Sequence, residues 1–330
     1  MVILGTLIGA GFASGKEIYL FFGKFGTLGI FGIIISAILS GSIVNRTLKI
    51  GLLENIYNYS ELLEKINSKH PKINKIIKTI VSSFLLMSFF IMVAAFSAYM
   101  KEVYQISEYI SASLFVLVCY IVYEKSLQGM MKINELLVPI LIIFIIFVAI
   151  KNVPYLAQIT LKEETSYQKG FLVSSILYTS YNSIILIPVL ISIKKYIKNK
   201  KQIKAISILC AVSIIILSFC IYGLVLKNEG IVQKLELPLV QITKQFGEKY
   251  QYMYSFIIIA SIFTSAVSSG YSFLKNVSKT QKQYKINLTL ICILGILAPQ
   301  IGFSKLVAFL YPFFGALGIL QLLMLLFYKI

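Results

Sequence analysis

Apolar runs of about twenty residues recur along the whole chain, and polar stretches separate them. A helix needs about 20 mostly apolar residues to span a bilayer. The sequence therefore predicts an all-α integral membrane protein, with about ten transmembrane helices in a single domain over residues 1–330. The approximate spans are 1–23, 25–44, 77–100, 109–123, 136–150, 170–193, 206–226, 252–274, 286–301 and 306–328. The fourth, fifth and ninth of these are short.

Two longer polar segments lie between the spans. Segment 45–75 places apolar residues such as Leu62 and Leu63 at helical spacing, which predicts an amphipathic helix along the membrane surface. Segment 228–249 mixes apolar residues with charges, and we expect it to form short helices over the mouth of a cavity. His70 is the one histidine and precedes Pro71 in the first segment. It has no neighbouring ligands in the sequence and is interpreted as a surface residue.

The composition supports a membrane protein and gives its orientation. Hydrophobic residues make up 58% of the chain and charged residues only 13%, against about 25% charged residues in soluble domains. The net charge of +18 comes from lysines in the loops, so the expected partner is anionic membrane lipid rather than nucleic acid. If the N-terminus is cytoplasmic, twenty basic residues lie inside and ten outside. This bias predicts a multi-pass protein of the bacterial cytoplasmic (inner) membrane with both termini in the cytoplasm.

The start of the chain and its cysteines exclude some other classes. No basic stretch precedes the first apolar run, so a cleavable signal peptide is not predicted. The four cysteines each stand alone in an apolar span, which is typical of small buried hydrophobic residues rather than of metal ligands. No acid, base, nucleophile and metal ligands converge in any span. We therefore expect no enzyme activity, and no cofactor besides a coupling ion.

Glycines are concentrated in the first span, at Gly5, Gly9, Gly11 and Gly15. Each interior glycine costs a helix about 1 kcal/mol relative to alanine. Irregular backbone at membrane depth is tolerated only where protein buries it or where it lines an aqueous cavity. The pattern predicts a helix broken near residues 9–14, whose free carbonyls and amides face a cavity. The alternative is that the glycines only permit close helix packing.

The sixth span is also interrupted, by polar residues at 178–183 that are followed by Pro188. Ten spans can form two inverted halves of five, about 1–153 and 169–330, in which the sixth span corresponds to the first. Two interrupted spans at matching positions are typical of a midplane binding site in a secondary transporter. The sequence therefore predicts a 5+5 inverted repeat with broken helices 1 and 6.

Hydroxyl side chains are dense in the eighth span. Ser261, Thr264, Ser265 and Ser268 fall on one helical face by their spacing. Such hydroxyls often bond only to carbonyls of their own helix. Together with carbonyls freed by a broken first span, however, they would offer uncharged oxygen ligands to a hard cation such as Na⁺. A cation site between the first and eighth spans is the resulting hypothesis.

Two resemblances extend this interpretation. The opening LIGAGFASGKE at residues 7–17 resembles the start of the YkvI-type bacterial membrane proteins. The interrupted spans one and six, with ASIFTS in span eight, resemble the amino acid, polyamine and organocation transporter superfamily, which has the LeuT fold. This resemblance implies a sodium site with carbonyls from Gly5, Ile8 and Ser261 and hydroxyls from Thr264 and Ser265.

The same resemblance implies a substrate site between the two interrupted spans. If the solute is an amino acid, its carboxylate would lie at the half-helix N-terminus after the first break. Two tyrosines of the sixth span are expected to line the cavity. The residues of this expected site are Gly9, Ala10, Gly11, Ser14, Tyr178, Thr179, Ser180, Tyr181 and Asn182.

Lys16 and Glu17 are adjacent opposite charges within the first span. Ionisable residues inside a membrane are functional candidates. They could gate an aqueous vestibule, which is the role we assign, or contact the substrate or a proton. The fifth span lacks the lysine that replaces sodium in some members of the superfamily, which favours sodium and leaves protons open.

The function predicted from these features is secondary active transport, in which Na⁺ drives symport of a small amino-acid-like solute by alternating access. The chain contains no aspartate, and its interrupted spans are neutral and hydroxyl-rich, which favours a zwitterionic solute over a polyamine. A proton-coupled transporter of the same fold and a receptor that binds a solute without moving it remain the alternatives.

Overall fold

The computed structural model describes residues 2–67, 71–124, 130–156 and 170–328. Helices make up most of these residues, and no β-strand occurs among them. His70 lies outside the described residues, so its predicted surface position stays a prediction. The protein is thus all-helical wherever the structure describes it, as the apolar pattern predicts.

Fifteen α-helices follow one another in the described ranges. They are α1 (Val2–Leu7), α2 (Ala10–Ser14), α3 (Lys16–Phe21), α4 (Thr27–Leu53), α5 (Tyr59–Ile66), α6 (Pro71–Tyr104), α7 (Glu108–Glu124), α8 (Met130–Leu156), α9 (Gly170–Ile193), α10 (Lys200–Lys227), α11 (Glu229–Lys234), α12 (Pro238–Lys244), α13 (Glu248–Val277), α14 (Gln281–Leu297) and α15 (Phe303–Phe327). The first predicted span corresponds to α1–α3, and the second to tenth correspond in order to α4, α6, α7, α8, α9, α10, α13, α14 and α15.

Six of the described helices are long and apolar enough to cross a membrane: α4, α6, α9, α10, α13 and α15. A shorter apolar helical stretch occupies Leu137–Lys151 in α8. Many large apolar side chains on these helices are exposed, among them Phe31, Ile38, Phe256 and Phe309. Side chains of this kind are stable on an outer surface when that surface meets lipid. The fold is that of a polytopic membrane protein.

Polar residues begin several helices at the ends of the bundle. The side chains of Asn58, Asn199 and Thr280 each accept a hydrogen bond from the backbone amide three residues later, at the starts of α5, α10 and α14. Such N-caps satisfy amide groups that a helix leaves without internal partners. They explain why these helices begin where the apolar pattern gives way to polar residues.

The predicted amphipathic helix in segment 45–75 exists, but its apolar face does not lie on lipid. Leu62 and Leu63 of α5 are 1% and 3% exposed. They pack against α6 and α9, beside Ile77 and Ile187. The helix therefore packs on neighbouring helices. Protein side chains, rather than lipid, provide the apolar contact for its buried face.

Helices pack in pairs through small residues. The pair α9 and α15 is especially close, since a Cβ on Gly315 would lie 2.6 Å from the Leu177 carbonyl oxygen and one on Gly318 would lie 2.6 Å from that of Ser180. Close backbone approach of this kind is typical of helix pairs in membranes. The sixth and tenth predicted spans thus form one compact unit. Further close pairs are α4 with α10 and α6 with α13.

Segment 228–247, which contains α11 and α12, folds back over the bundle and is called the lid below. Val232, Leu237, Leu239, Val240 and Ile242 of the lid are all buried. The short helix α12 packs on α2, α10 and α13. The lid therefore covers the second half of the first span, and the predicted short helices over this part of the molecule are present.

Candidate functional site

The first span is broken, as its glycines predict. The amide of Ile8 donates to the Leu4 carbonyl at 2.7 Å and closes α1. Gly9 is extended, with φ −85° and ψ −176°, and its carbonyl accepts from the Ala13 amide at 3.0 Å as α2 begins. Within the described residues no bond joins the Gly9 amide to the Gly5 carbonyl. The continuous helical ladder is therefore interrupted at Ile8 and Gly9.

The glycines of this span have different surroundings. Gly15 has a left-handed φ of +79°, and a Cβ there would lie 2.8 Å from Leu239 of the lid. A Cβ on Gly5 would lie 2.9 Å from Val138 Cγ2 on α8. No described atom lies within 4 Å of a Cβ position on Gly9. Gly15 and Gly5 are thus required by conformation or packing, whereas Gly9 adjoins open space.

Two hydroxyl groups hold the segment after the break. Ser14 donates to the Gly11 carbonyl at 2.7 Å and accepts from the Lys16 amide at 3.1 Å, so it links α2 to α3. Tyr254 of α13 donates to the Ala13 carbonyl. The hydroxyl of Ser14, which is one of the predicted substrate residues, is therefore used within the chain, and its predicted substrate contact stays a prediction. Nothing in the sequence around Tyr254 singles out its role, which depends on a contact across the bundle.

The predicted break in the sixth span is wrong. Helix α9 runs without interruption from Gly170 to Ile193 and contains Pro188. Its polar side chains bond to carbonyls one turn earlier: Thr179 to Ser175 at 2.9 Å and Asn182 to Tyr178 at 3.0 Å. These polar side chains of the sixth span therefore bond to carbonyls of their own helix, as polar residues in membrane helices often do.

The five predicted substrate residues of α9 divide into two groups. Tyr178 and Tyr181 are buried and reach the first span. Thr179 also approaches the Ser36 carbonyl of α4 at 3.3 Å. Ser180 packs against Gly318 of α15, and its hydroxyl has no partner among the described residues. The two tyrosines are therefore the members of this set with side-chain contacts to the first span among those described.

Glu17 is the centre of a buried cluster between the first, sixth and tenth spans. Its carboxyl group accepts a hydrogen bond from the Tyr181 hydroxyl, and the Tyr178 ring packs against Tyr181. A Cβ placed on Gly11 would lie 2.5 Å from Glu17 Oε2 and 3.2 Å from the Tyr311 hydroxyl. The carboxyl group, three tyrosines and the Gly11 backbone therefore meet in one place. Tyr311 is not among the residues that the sequence predicts for the site.

The rings of this cluster form a continuous aromatic surface. Tyr181 stacks on Tyr311 with centroids 4.6 Å apart, and Tyr178 meets Tyr181 edge-on at 5.5 Å. Phe21 stacks on Tyr181 at 5.5 Å, and Phe84 of α6 lies 6.4 Å from Tyr311. Aromatic pairs in such arrangements contribute about 0.5–1.5 kcal/mol each beyond area burial. The cluster thus links three predicted spans of the bundle with α6.

Lys16 points away from Glu17, toward the lid. Its ammonium group donates to the Val232 carbonyl at 2.7 Å and to the Leu235 carbonyl at 3.0 Å. On the other side of the lid, Glu102 of α6 accepts from the Glu236 amide at 2.6 Å. The two adjacent charges of the first span therefore have different contacts. Glu17 faces the tyrosine cluster, whereas Lys16 attaches the lid to α3.

Four of the five predicted cation ligands line one small cavity. Gly5 and Ile8 of the first span face Ser261 and Ser265 of α13 across it, and Leu137, Val138, Leu141 and Ile257 complete the wall. The cavity encloses about 10 Å³, which is room for about one water-sized species. The spacing in the eighth span thus brings two hydroxyl residues to the broken first span.

Thr264 does not join this cavity. Its hydroxyl donates to the Ala260 carbonyl at 3.0 Å and lies 3.2 Å from the Ser261 carbonyl, and the residue is 2% exposed. Ser268 is exposed rather than directed to the first span. The predicted hydroxyl face is therefore narrower than its sequence spacing suggested, because one hydroxyl is taken up by its own helix.

A larger cavity of about 770 Å³ lies elsewhere, between the ends of α6 and α13. Lys75, Lys78, Ser82 and Asn276 are among its lining residues, and it includes none of the predicted site residues. In the part of the chain that the structure describes, no three His, Cys, Asp or Glu side chains converge as metal ligands would. The candidate site thus consists of the small cavity and the neighbouring Glu17 cluster.

The chain is similar to two known bacterial proteins, one of which is described as a membrane protein. The chain is 26% identical over 316 residues to the uncharacterized membrane protein YkvI of Bacillus subtilis, covering 95% of this chain and 90% of that protein. It is also 26% identical over 335 residues to the uncharacterized protein YyaD of the same organism, covering 100% and 96%. No family model matches the chain.

A solved structure shares the fold. The manganese transporter of Eremococcus coleocola, in a mutant form, superposes with a TM-score of 0.65 at 14% identity. The superposition covers 98% of this chain and 78% of that chain. The similarity to YkvI extends over 95% of this chain. The resemblance to YkvI-type proteins that the opening motif suggested is therefore confirmed. The chain is similar over almost its whole length to the membrane protein YkvI and to YyaD, and its fold is similar to that of a manganese transporter.

Proposed function

We propose that the chain is a secondary active transporter that carries a small amino-acid-like solute by alternating access, coupled to Na⁺. The observation that carries this proposal is the break in the first span. Gly9 adjoins open space, and the cavity lined by Gly5, Ile8, Ser261 and Ser265 lies beside the break. Irregular backbone inside a membrane is tolerated at such places and is typical of transporter binding sites.

The small cavity suits a hard cation held by uncharged oxygens. Backbone carbonyls and serine hydroxyls are ligands of the kind that hard cations prefer. The free volume of about 10 Å³ accommodates one such ion without bulk water. We propose that Gly5, Ile8, Ser261 and Ser265 provide this site, with Thr264 supporting the helix that presents them.

An organic solute fits the described residues better than a transition metal. The solved neighbour is a manganese transporter, whereas the described part of this chain offers no convergent set of carboxylate, imidazole or thiol ligands. Carboxylate, carbonyl and water oxygens are the ligands that suit Mn²⁺, and the described cluster beside the break supplies one carboxyl group. Tyrosine side chains and a single carboxyl group beside the break instead suit a small polar organic molecule, and we propose a zwitterion.

The packing is consistent with an inverted repeat of about 1–153 and 169–330 and ten spans. The second and seventh predicted spans pack together, as do the third and eighth and the fourth and ninth. Elements related by a two-fold axis contact each other when they lie near the axis. In the orientation with cytoplasmic termini, the lid lies on the outer face, and the bond from Lys16 to the lid makes Lys16 the proposed external gate.

Uptake by the full chain in liposomes tests this proposal. We expect an inward Na⁺ gradient to drive accumulation of at least one zwitterionic amino acid, and an equal K⁺ gradient to fail. Ser265→Ala removes a hydroxyl from the cavity and should abolish the Na⁺ dependence. Thr264→Ala is the matched control, because its hydroxyl bonds to α13, and should retain most of the uptake. Absence of gradient-driven uptake over a broad solute panel, with folded protein, would contradict the proposal.

A proton-coupled transporter is the second candidate, because Glu17 is a buried carboxyl group that can hold a proton. In that case a pH gradient would drive uptake in the absence of Na⁺. Solute binding without any flux would instead favour a receptor. The thermal stability of purified protein in NaCl against choline chloride separates the cation hypotheses, since a bound ion raises Tm by binding only the folded state.

A further inference from the structure

Glu17 is a negative group whose charge has no cationic partner. It is 4% exposed, and within the described residues it forms no ion pair. Its neighbour Lys16 is committed to two lid carbonyls on the other side of α3. A charged group in the membrane interior is strongly unfavourable unless a proton or a cation neutralises it. The position of Glu17 therefore requires an additional positive group when the carboxyl is ionised.

The surroundings of Glu17 suit one class of cation. The Tyr181 hydroxyl bonds to the carboxyl group, and the Tyr311 hydroxyl lies beside Gly11 next to it. The ring centroid of Tyr181 lies 4.6 Å from that of Tyr311 and 5.5 Å from that of Tyr178. Tyrosine hydroxyls accept hydrogen bonds from ammonium groups, and a carboxylate adds charge-assisted hydrogen bonds. A hard metal ion would instead require several oxygen ligands in a fixed shell. The combination is that of an ammonium receptor.

We propose that Glu17, with Tyr178, Tyr181 and Tyr311, binds the protonated amino group of the transported solute. This inference rests on the proposed transport function and names the part of the solute that is recognised. The described conformation is closed, because Tyr181 donates to the Glu17 carboxyl group. When the first span separates from the sixth and tenth spans, the ammonium group enters between the carboxyl group and the Tyr181 hydroxyl, which then accepts a hydrogen bond from it.

The adjacency of Glu17 to Gly11 connects this receptor to the break. A Cβ on Gly11 would fall 2.5 Å from Glu17 Oε2, so only a glycine leaves the carboxyl group its present position. The amino group of a solute bound at Glu17 therefore lies next to the backbone that begins at Gly9. The same solute can reach both the aromatic cluster and the open space beside Gly9.

Binding of matched compounds tests the proposal on the full-length protein in detergent. The probes are glycine, leucine and phenylalanine, the amine that each yields without its carboxyl group, and the acid that each yields without its amino group. We expect ammonium-bearing members of at least one set to raise Tm, and the corresponding acid to leave it unchanged. In Glu17→Gln the apparent affinity should fall about tenfold or more, because a charge-assisted bond is lost.

Two further variants guard against a general structural effect. Tyr181→Phe removes only a hydroxyl and should weaken binding about two- to tenfold. Glu124→Gln changes an exposed carboxyl group at the end of α7 and should bind as the unmodified protein does. Glu17→Gln without ligand should melt no earlier than the unmodified protein, since it removes an unpaired buried charge, so weaker binding cannot be attributed to unfolding.

Failure of this inference is distinguishable from failure of the transport function. Equal stabilisation by the amine-free acids, undiminished binding to Glu17→Gln, or gradient-driven uptake of a solute that lacks an amino group would overturn the ammonium receptor while transport stands. Binding of amines that depends on Glu17 without gradient-driven flux would support the receptor and contradict the transporter.

Discussion

The first and sixth predicted spans carry similar polar interruptions but fold differently. The first breaks at Ile8 and Gly9 and again at Gly15. The sixth remains one helix from Gly170 to Ile193, even though it contains six polar or semi-polar residues and Pro188. Both interruptions occupy corresponding positions in the proposed repeat. Polarity alone therefore does not decide whether a membrane helix breaks.

The two spans differ in whether their residues form hydrogen bonds to the helix backbone or instead allow the backbone to leave the helical conformation. Thr179, Asn182 and Ser183 carry groups that bond to carbonyls of the preceding turn, so the sixth span satisfies several of its polar side chains without leaving the helix. Glycines offer no such group and lower the cost of extended or left-handed backbone. Polar residues are accommodated in a membrane helix, whereas a cluster of glycines permits a break.

The largest effect on this comparison is expected for Gly15→Ala. A left-handed conformation costs a non-glycine residue about 1–2 kcal/mol, and contact with Leu239 adds about 1–3 kcal/mol of overpacking. We expect the free energy of unfolding to fall by about 2–5 kcal/mol in total, measured as a lower Tm. The control combines Gly15→Ala with Leu239→Ala, which removes the side chain that the new methyl group would meet. An equal loss from Gly15→Ala with and without the Leu239 side chain would show that contact with the lid contributes nothing.

A somewhat smaller loss is expected for Gly318→Ala, which tests the continuous sixth span. The added methyl group would meet the Ser180 carbonyl oxygen of α9 at 2.6 Å. Overpacking should lower the stability by about 1–3 kcal/mol. Gly230→Ala has no described atom within 4 Å and should leave Tm unchanged or higher. Thermal unfolding of the two variants side by side decides the matter, and equal Tm values would argue against close packing of α9 on α15.

Gly9→Ala should separate stability from function. The backbone of Gly9 is compatible with alanine, and the methyl group would enter open space. We expect a change of less than about 1 kcal/mol in the free energy of unfolding, together with reduced uptake, because the space beside the break narrows. Uptake at the unmodified level in liposomes would mean that this space is not on the solute route.

The smallest effect is expected for Asn182→Ala in the sixth span. Its side chain donates to the Tyr178 carbonyl of the same helix. Loss of such a bond should change stability by no more than about 0.5 kcal/mol and leave solute binding intact. The comparison variant is Tyr181→Phe, which faces Glu17 and should weaken binding. Loss of binding in Asn182→Ala would contradict this expectation and indicate that Asn182 contacts the substrate.

The sequence was sufficient for local features that depend on neighbouring residues. Apolar runs predicted the all-helical membrane fold, and the glycines predicted the break at Gly9. Contacts between distant residues were not accessible in the same way: Tyr181 meets Glu17 across 164 positions, and Tyr254 meets Ala13 across 241. The predicted break in the sixth span was wrong because its polar side chains can reach carbonyls of their own helix, so polar residue types alone do not indicate an interruption.

The lid is attached at three separate helices: through Lys16 on α3, through Glu102 on α6 and through Glu236, which accepts from the Ser304 amide of α15. Movement of any one of these helices relative to the others must break at least one attachment before new contacts form. Bonds to charged groups contribute about 1.5–3 kcal/mol each. Exposure of the covered face therefore has a high activation enthalpy, and we expect turnover to slow steeply on cooling, as when lid opening limits a cycle.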